Sequence, residues 1–210
     1  MLFKKPKEKI FCIGHNKTGT TTIEAVLHGF GYKLGNQIEG ELLLDAWHAR
    51  DFNKIIKFCN TAQAFQDIPF SLPYTYQHLD VAFKNAKFIL TERDNAEQWY
   101  VSLTKFHSKL WADGETIPTA MHLKQASYRY KGYSFNANRY IYPTPENDIY
   151  NKDLMMRFYL NYNQTVKDYF KSRPEKLLVI NVSKSTDYAK LCQFLGQPIT
   201  RTDFPWKNKT

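Results

Sequence analysis

No apolar run in these 210 residues approaches the roughly 20 needed to cross a bilayer, and Met1 to Ile10 lacks the apolar centre of a secretion signal. The expectation is a cytoplasmic chain with no membrane span. Cysteine is scarce as well: Cys12, Cys59 and Cys192 are odd in number, lie in apolar or amphipathic surroundings, and show neither Cys-x-x-Cys nor metal-ligand spacing. They read as buried thiols in a reducing compartment, not as disulfide staples. Acid is in deficit, with 20 Asp and Glu against 29 Lys and Arg, a formal net charge of +9. That balance favours a polyanionic partner without choosing among a nucleotide, an acidic or sulfated glycan, nucleic acid or an anionic membrane face. Part of it sits in the Lys4-Lys5-Pro6-Lys7-Glu8-Lys9 stretch, which reads as a solvated tail. A Gly-x-Ser-x-Gly elbow is missing, so serine hydrolase chemistry has no support. The six histidines (His15, His28, His48, His78, His107, His122) form no metalloprotease-type pair, and no metal is expected.

What is present begins at Ile10-Phe11-Cys12-Ile13, a buried-strand pattern, followed by Gly14-His15-Asn16-Lys17-Thr18-Gly19 and a helix-like stretch from Thr20 to Phe30. A tight loop between a strand and a helix aims unpaired N–H groups and the positive helix end at one point, where an anion, most naturally a phosphate, is held. The loop is not the Walker A pattern, because Lys17 precedes Gly19 and no Gly-Lys-Ser/Thr follows. Further β-rich runs are Ala62 to Phe65, Lys87 to Leu90 and Leu177 to Val182. Helix-like segments lie between and after them: Glu41 to Cys59, Tyr74 to Phe83, Ala96 to Leu110, Asp153 to Lys171 and Asp187 to Leu195. Strands separated by helices predict parallel βαβ units and one α/β domain of three layers, α/β/α, around a mainly parallel central sheet. In such a sheet the ligand lies beyond the carboxyl ends of the strands. His15 to Thr22, Asp67 and Arg93 each follow an apolar run, where that rule puts functional residues.

Lys17-Thr18-Gly19-Thr20-Thr21-Thr22 directly after a strand resembles the 5′-phosphosulfate loop of sulfotransferases, which use 3′-phosphoadenosine 5′-phosphosulfate (PAPS). Lys87 to Ser102, a strand, turn and helix, resembles the 3′-phosphate motif of the same family, with Arg93 and Ser102 at the gripping positions. Arg suits that task because its planar fork donates two N–H bonds to phosphate oxygens. Phe65-Gln66-Asp67-Ile68-Pro69 stands where sulfotransferases of small molecules carry Lys-Thr-His-Leu-Pro. It departs from that pattern in putting Phe65 for the Lys and Asp67 for the His that takes the acceptor's proton. Leu177 to Gly196 resembles the family's last strand and helix, with Gly196 as its C-cap.

The resemblance implies a P-loop nucleoside-triphosphate-hydrolase-like fold and PAPS as co-substrate. It implies Thr18 to Thr22 on the 5′-phosphate, Lys17 as catalytic cation, and Asp67 as base, expected to stay ionised beside Lys17. Arg93 and Ser102 would hold the 3′-phosphate, with Lys207 in Phe204-Pro205-Trp206-Lys207 a weaker candidate. Its partner would be a small-molecule or glycan acceptor offering a hydroxyl, and no nucleic acid is expected.

Read singly, Arg93 could equally pair with Glu92 or Asp94, and Asp67 could merely cap a Pro-adjacent turn. His15 lies inside the loop and is a further candidate for the anion or the proton; His107, on the helix of Ser102, is a second. Trp111 to Tyr150 is rich in Tyr, Asn and Pro, lacks a period, and reads either as a lid or acceptor-binding insertion in the single 1–210 domain or as a surface excursion packed by its own tyrosines. Two other functions compete. A P-loop kinase or nucleotide hydrolase using ATP explains the first loop but not Arg93 with Ser102, and a non-catalytic nucleic-acid-binding module explains charge and aromatics but not the loop.

Overall fold

The computed structural model describes residues 8–205. In chain order it comprises β1 (Ile10–Cys12), α1 (Thr20–Gly29), α2 (Gln37–Glu41), α3 (Leu44–His48), α4 (Phe52–Phe58), β2 (Ala64–Phe65), α5 (Thr75–Ala82) and β3 (Lys87–Thr91). There follow α6 (Ala96–Trp111), α7 (Ala120–Gln125), α8 (Tyr133–Ile141), α9 (Lys152–Phe170), β4 (Leu177–Ile180) and α10 (Thr186–Leu195). The strands form a parallel sheet in the order β2-β1-β3-β4.

Strand side chains alternate between faces, and this alternation divides the core into two layers. Phe11, Ile13, Phe65, Phe88 and Leu90 pack with Ile55 of α4, Leu79 of α5, and Tyr162 and Val166 of α9. On the opposite face Ile10, Cys12, Ala64 and Ile89 meet Ile23, Val26 and Leu27 of α1 and Leu191 and Cys192 of α10. The three-layer α/β/α arrangement therefore follows from the pattern of apolar residues in strands only two to five residues long. All three cysteines are buried free thiols, and burial pushes Cys12 and Cys59 up to about 12.

One sequence expectation fails here. Glu41 to Cys59 is not one helix: α2, α3 and α4 are separate, and the chain reverses at Arg50, whose φ is 61°. The Arg50 guanidinium lies 5.0 Å from the Trp47 ring and 4.7 Å from the Tyr74 ring. The break lets Leu44 and Trp47 of α3 and Phe52 and Ile55 of α4 enter the same core, and no Gly or Pro announces it. The 111–150 stretch, which shows no period in the sequence, does contain regular elements. It folds into α7 and α8 and a 3₁₀ turn at Glu146–Asp148, with Thr119 and His122 forming a capping box at α7. Its Leu123, Tyr142, Ile149 and Tyr150 join a third cluster with Trp99 and Leu103 of α6 and Met155 and Tyr159 of α9.

Candidate functional site

In this strand order the connection from β1 runs to one side and β3 lies on the other, so the crevice at the carboxyl end of β1 is the topological switch point where ligands bind. The loop 13–19 fills its floor. Hydrogen bonds from three other parts of the chain and from the loop itself occupy its carbonyls: Tyr162 Oη donates to Ile13 O at 2.7 Å, Thr18 N to His15 O at 3.3 Å, Trp99 Nε1 to Asn16 O at 3.1 Å and Arg93 Nε to Lys17 O at 2.7 Å, while Gly19 O accepts from Thr22 N and Ile23 N of α1. The N–H groups of Gly19, Thr20 and Thr21, at the start of α1, have no acceptor among the described residues. Close packing fixes the loop further. A Cβ on Gly14 would lie 2.1 Å from Thr91 Oγ1, and one on Gly19 (φ 102°) would lie 2.3 Å from Val182 Cγ2.

Lys17, Gly19, Thr20, Thr21, Thr22, Asp67 and Arg93 line one open cleft of about 200 Å³, joined by Gln37, Glu41, Phe106, His107, Trp111 and Tyr128. The Lys17 ammonium stands 4.0 Å from the centre of the Phe106 ring. Its pKa is lowered by burial and by the neighbouring Arg93 and Lys109, and Asp67 acts against that shift. Arg93 forms no ion pair among the described residues: Glu92 is paired with Lys167 at 2.8 Å, and Asp94, whose charge still acts on Arg93, accepts from Asn181 at 2.8 Å. Its Nη2 donates to Ser102 Oγ at 3.3 Å, which joins the two residues of the second motif. Asn95, not Asp94, caps α6 by accepting from Gln98 N at 2.8 Å.

Asp67 follows β2 with φ 63° and accepts from Ile68 N at 2.9 Å. Contrary to the expectation that it stays ionised beside Lys17, its carboxyl is pushed up to about 7, first by burial and then by Glu41, with Glu24 adding to the effect and Arg129 opposing it. At neutral pH the group is therefore poised between its two forms, which suits a general base.

A family model described as a sulfotransferase domain matches residues 9–210. The chain belongs to this sulfotransferase domain family. No curated protein matches it.

As a sulfotransferase it brings most of the residues expected from its sequence to one place, with exceptions. Thr18 is buried beneath the cleft, its N–H bonded to His15 O and its hydroxyl 2.5 Å from both His15 O and Thr91 Oγ1, so it shapes the loop and offers nothing outward. The Thr22 N–H is likewise taken, by Gly19 O at 3.0 Å. His15 is 2 % exposed, does not line the cleft, and sits among Trp99, Phe158, Tyr159 and Tyr162, where burial drives its pKa down to about 3. It is a neutral ring of the aromatic core, turned away from the anion it was expected to hold. His107 reaches the cleft wall, but it too is lowered to about 3, by burial and by Lys17, and its Nδ1 bonds Tyr150 Oη at 2.8 Å. Lys207 lies outside the described residues.

Sequence reasoning missed Gln37, Glu41 and Arg129. Gln37 Nε2 lies 2.9 Å from Glu41 Oε1 and 3.5 Å from Asp67 Oδ2, and Glu41 pairs with Arg129 Nε at 2.6 Å. The four-residue spacing of Gln37 and Glu41 on one helix face was the only available signal, and it is common on any helix.

Proposed function

We propose that this sulfotransferase moves a sulfuryl group from PAPS to a hydroxyl of a small-molecule or glycan acceptor. The observation that carries the reading is one cleft lined together by the free N–H groups of Gly19 to Thr21, the Lys17 ammonium, the Arg93 fork and the Asp67 carboxyl. The N–H groups and the Thr20 to Thr22 side chains hold the 5′-phosphate. Arg93, supported by Ser102, takes the 3′-phosphate.

Asp67 accepts the acceptor's proton as the new O–S bond forms. Lys17 neutralises the negative charge that develops on the bridging phosphate oxygen as the old S–O bond breaks, leaving adenosine 3′,5′-bisphosphate and the sulfated acceptor. As in phosphoryl transfer, in-line placement and charge stabilisation supply the acceleration, and no covalent intermediate is needed. The face of Trp111 and Tyr128 at the cleft supplies flat apolar area for the acceptor, and the 111–150 insertion that carries Tyr128 forms that wall.

A thermal-shift titration tests this. Adenosine 3′,5′-bisphosphate without Mg²⁺ at about 100 times its Kd adds about 2.7 kcal/mol, raising the Tm by several degrees, while ATP does much less. Equal responses to the two nucleotides overturn the reading in favour of an ATP-using enzyme.

A further inference from the structure

The insertion does more than wall the cleft. Arg129, between α7 and α8, reaches back to Glu41 on α2, a residue only 3 % exposed, and donates Nε to its Oε2 at 2.6 Å. The Glu41 Oε1 accepts from Gln37 Nε2 at 2.9 Å, and the same Nε2 faces Asp67 Oδ2 at 3.5 Å. The Gln37 carboxamide is itself held from the other side, its Oε1 accepting from Gln66 Nε2 at 3.3 Å. Two more contacts fasten the insertion to α2 and to itself: Tyr133 Oη donates to Glu41 O at 3.1 Å, and the Arg129 guanidinium stacks 4.2 Å from the centre of the Tyr128 ring. Side chains from three separate parts of the chain thus form one line, Arg129 to Glu41 to Gln37 to Asp67, ending at the cleft.

We propose that Arg129 is a positioning residue for Asp67, acting through Glu41 and Gln37, so that docking of the insertion completes the catalytic site. This rests on the reading of Asp67 as the base. The charge arrangement supplies the physical reason. Glu41 without a cation would be a buried carboxylate beside a second carboxylate, and like charges that close prevent both from ionising. Arg129 offsets Glu41, and Gln37 fixes where the Asp67 oxygens point. The groups facing Asp67 are Lys17 from the loop, Glu24 from α1, Glu41 from α2 and Arg129 from the insertion, with Tyr128, Tyr133, Tyr142 and the Cys12 thiol nearby; of these, Arg129 is the cation the insertion contributes.

The test is a ¹³C NMR titration of the Asp67 side-chain carboxyl in the unliganded protein, assigned by comparison with Asp67→Asn. Arg129→Gln should raise its midpoint by about half a pH unit or more, Glu41→Gln should lower it, and Arg129→Lys should fall between Arg129→Gln and the unaltered protein. A structural role alone would not move the two midpoints in opposite directions. Unchanged midpoints, or shifts of the same sign in Arg129→Gln and Glu41→Gln, overturn the proposal. Asp67→Asn assayed for sulfuryl transfer separates the two ideas. If the midpoints move as stated and Asp67→Asn still turns over, the coupling stands and the assignment of the base fails.

Discussion

Lys17 is the residue on which the proposed reaction most depends. Its ammonium is held by Phe106, its carbonyl by Arg93, and its backbone in the left-handed region at φ 66°. Lys17→Ala should cut turnover by about 1,000-fold, the scale of removing one preorganised charge-stabilising group, with a smaller loss of bisphosphate affinity. Arg93 differs because it has two tasks. Its Nη2 meets Ser102, while its Nε fixes the Lys17 carbonyl, so Arg93→Ala should lower kcat as well as raise the KM for PAPS, measured by steady-state kinetics.

Asp67 gives a pH prediction whose sign can be worked out. In its proposed role as base, a carboxyl raised to about 7 by burial and Glu41 should give a rate that climbs with pH through a midpoint near 7. The same shift bears on stability. The folded state holds the proton more tightly than the unfolded chain, so this group disfavours folding increasingly as pH rises from about 4 to 7, and fully above that. Asp67→Asn should therefore have the higher Tm at pH 8, and the gain should vanish near pH 4, while activity is lost.

At the scale of elements, the proposed anion site belongs to a loop whose shape is imposed by its neighbours. Thr91 on β3, Trp99 on α6 and Tyr162 on α9 each hold part of it. Gly19→Ala would add a Cβ 2.3 Å from Val182 Cγ2 at a backbone angle that alanine resists, so it should weaken bisphosphate binding in calorimetry while far-UV circular dichroism stays unchanged. The strand-loop-helix unit was legible because a tetrapeptide of apolar residues, a Lys-Thr-Gly turn and a Thr-rich helix start are contiguous. The helices of the insertion were not, because α7 and α8 are six and nine residues long and bury few residues each, among them Leu123 and Tyr133. Elements that short show too few turns for a period to emerge.

At the scale of the molecule, one buried ion cluster ties the two ends of the α5-to-β4 region together. Asp80 on α5 accepts from Tyr169 Oη at 3.0 Å and from Arg173 and Lys176, beyond α9. Burial alone would raise its pKa, but the bonds from Lys176, Arg173 and Tyr169 outweigh burial and leave it lowered. Stability from this group is thus present above the unfolded value near 4 and is lost as pH falls through the lower folded value. Asp80→Ala removes the acceptor of three bonds but leaves Arg173 and Lys176 partly in water, so it should cost about 1–3 kcal/mol in urea unfolding at pH 7. The amino-acid sequence by itself determined the layered α/β architecture, the loop, and the placement of Arg93 and Asp67 after their strands, because these follow from residues adjacent in the chain and from strand alternation. Only the tertiary structure decided that His15 turns into the aromatic core, that Thr18 faces inward, and that Arg129, 62 positions from Asp67, stands behind it through Glu41 and Gln37. Burial and pairing between distant segments set those outcomes, and neither is encoded in a local spacing.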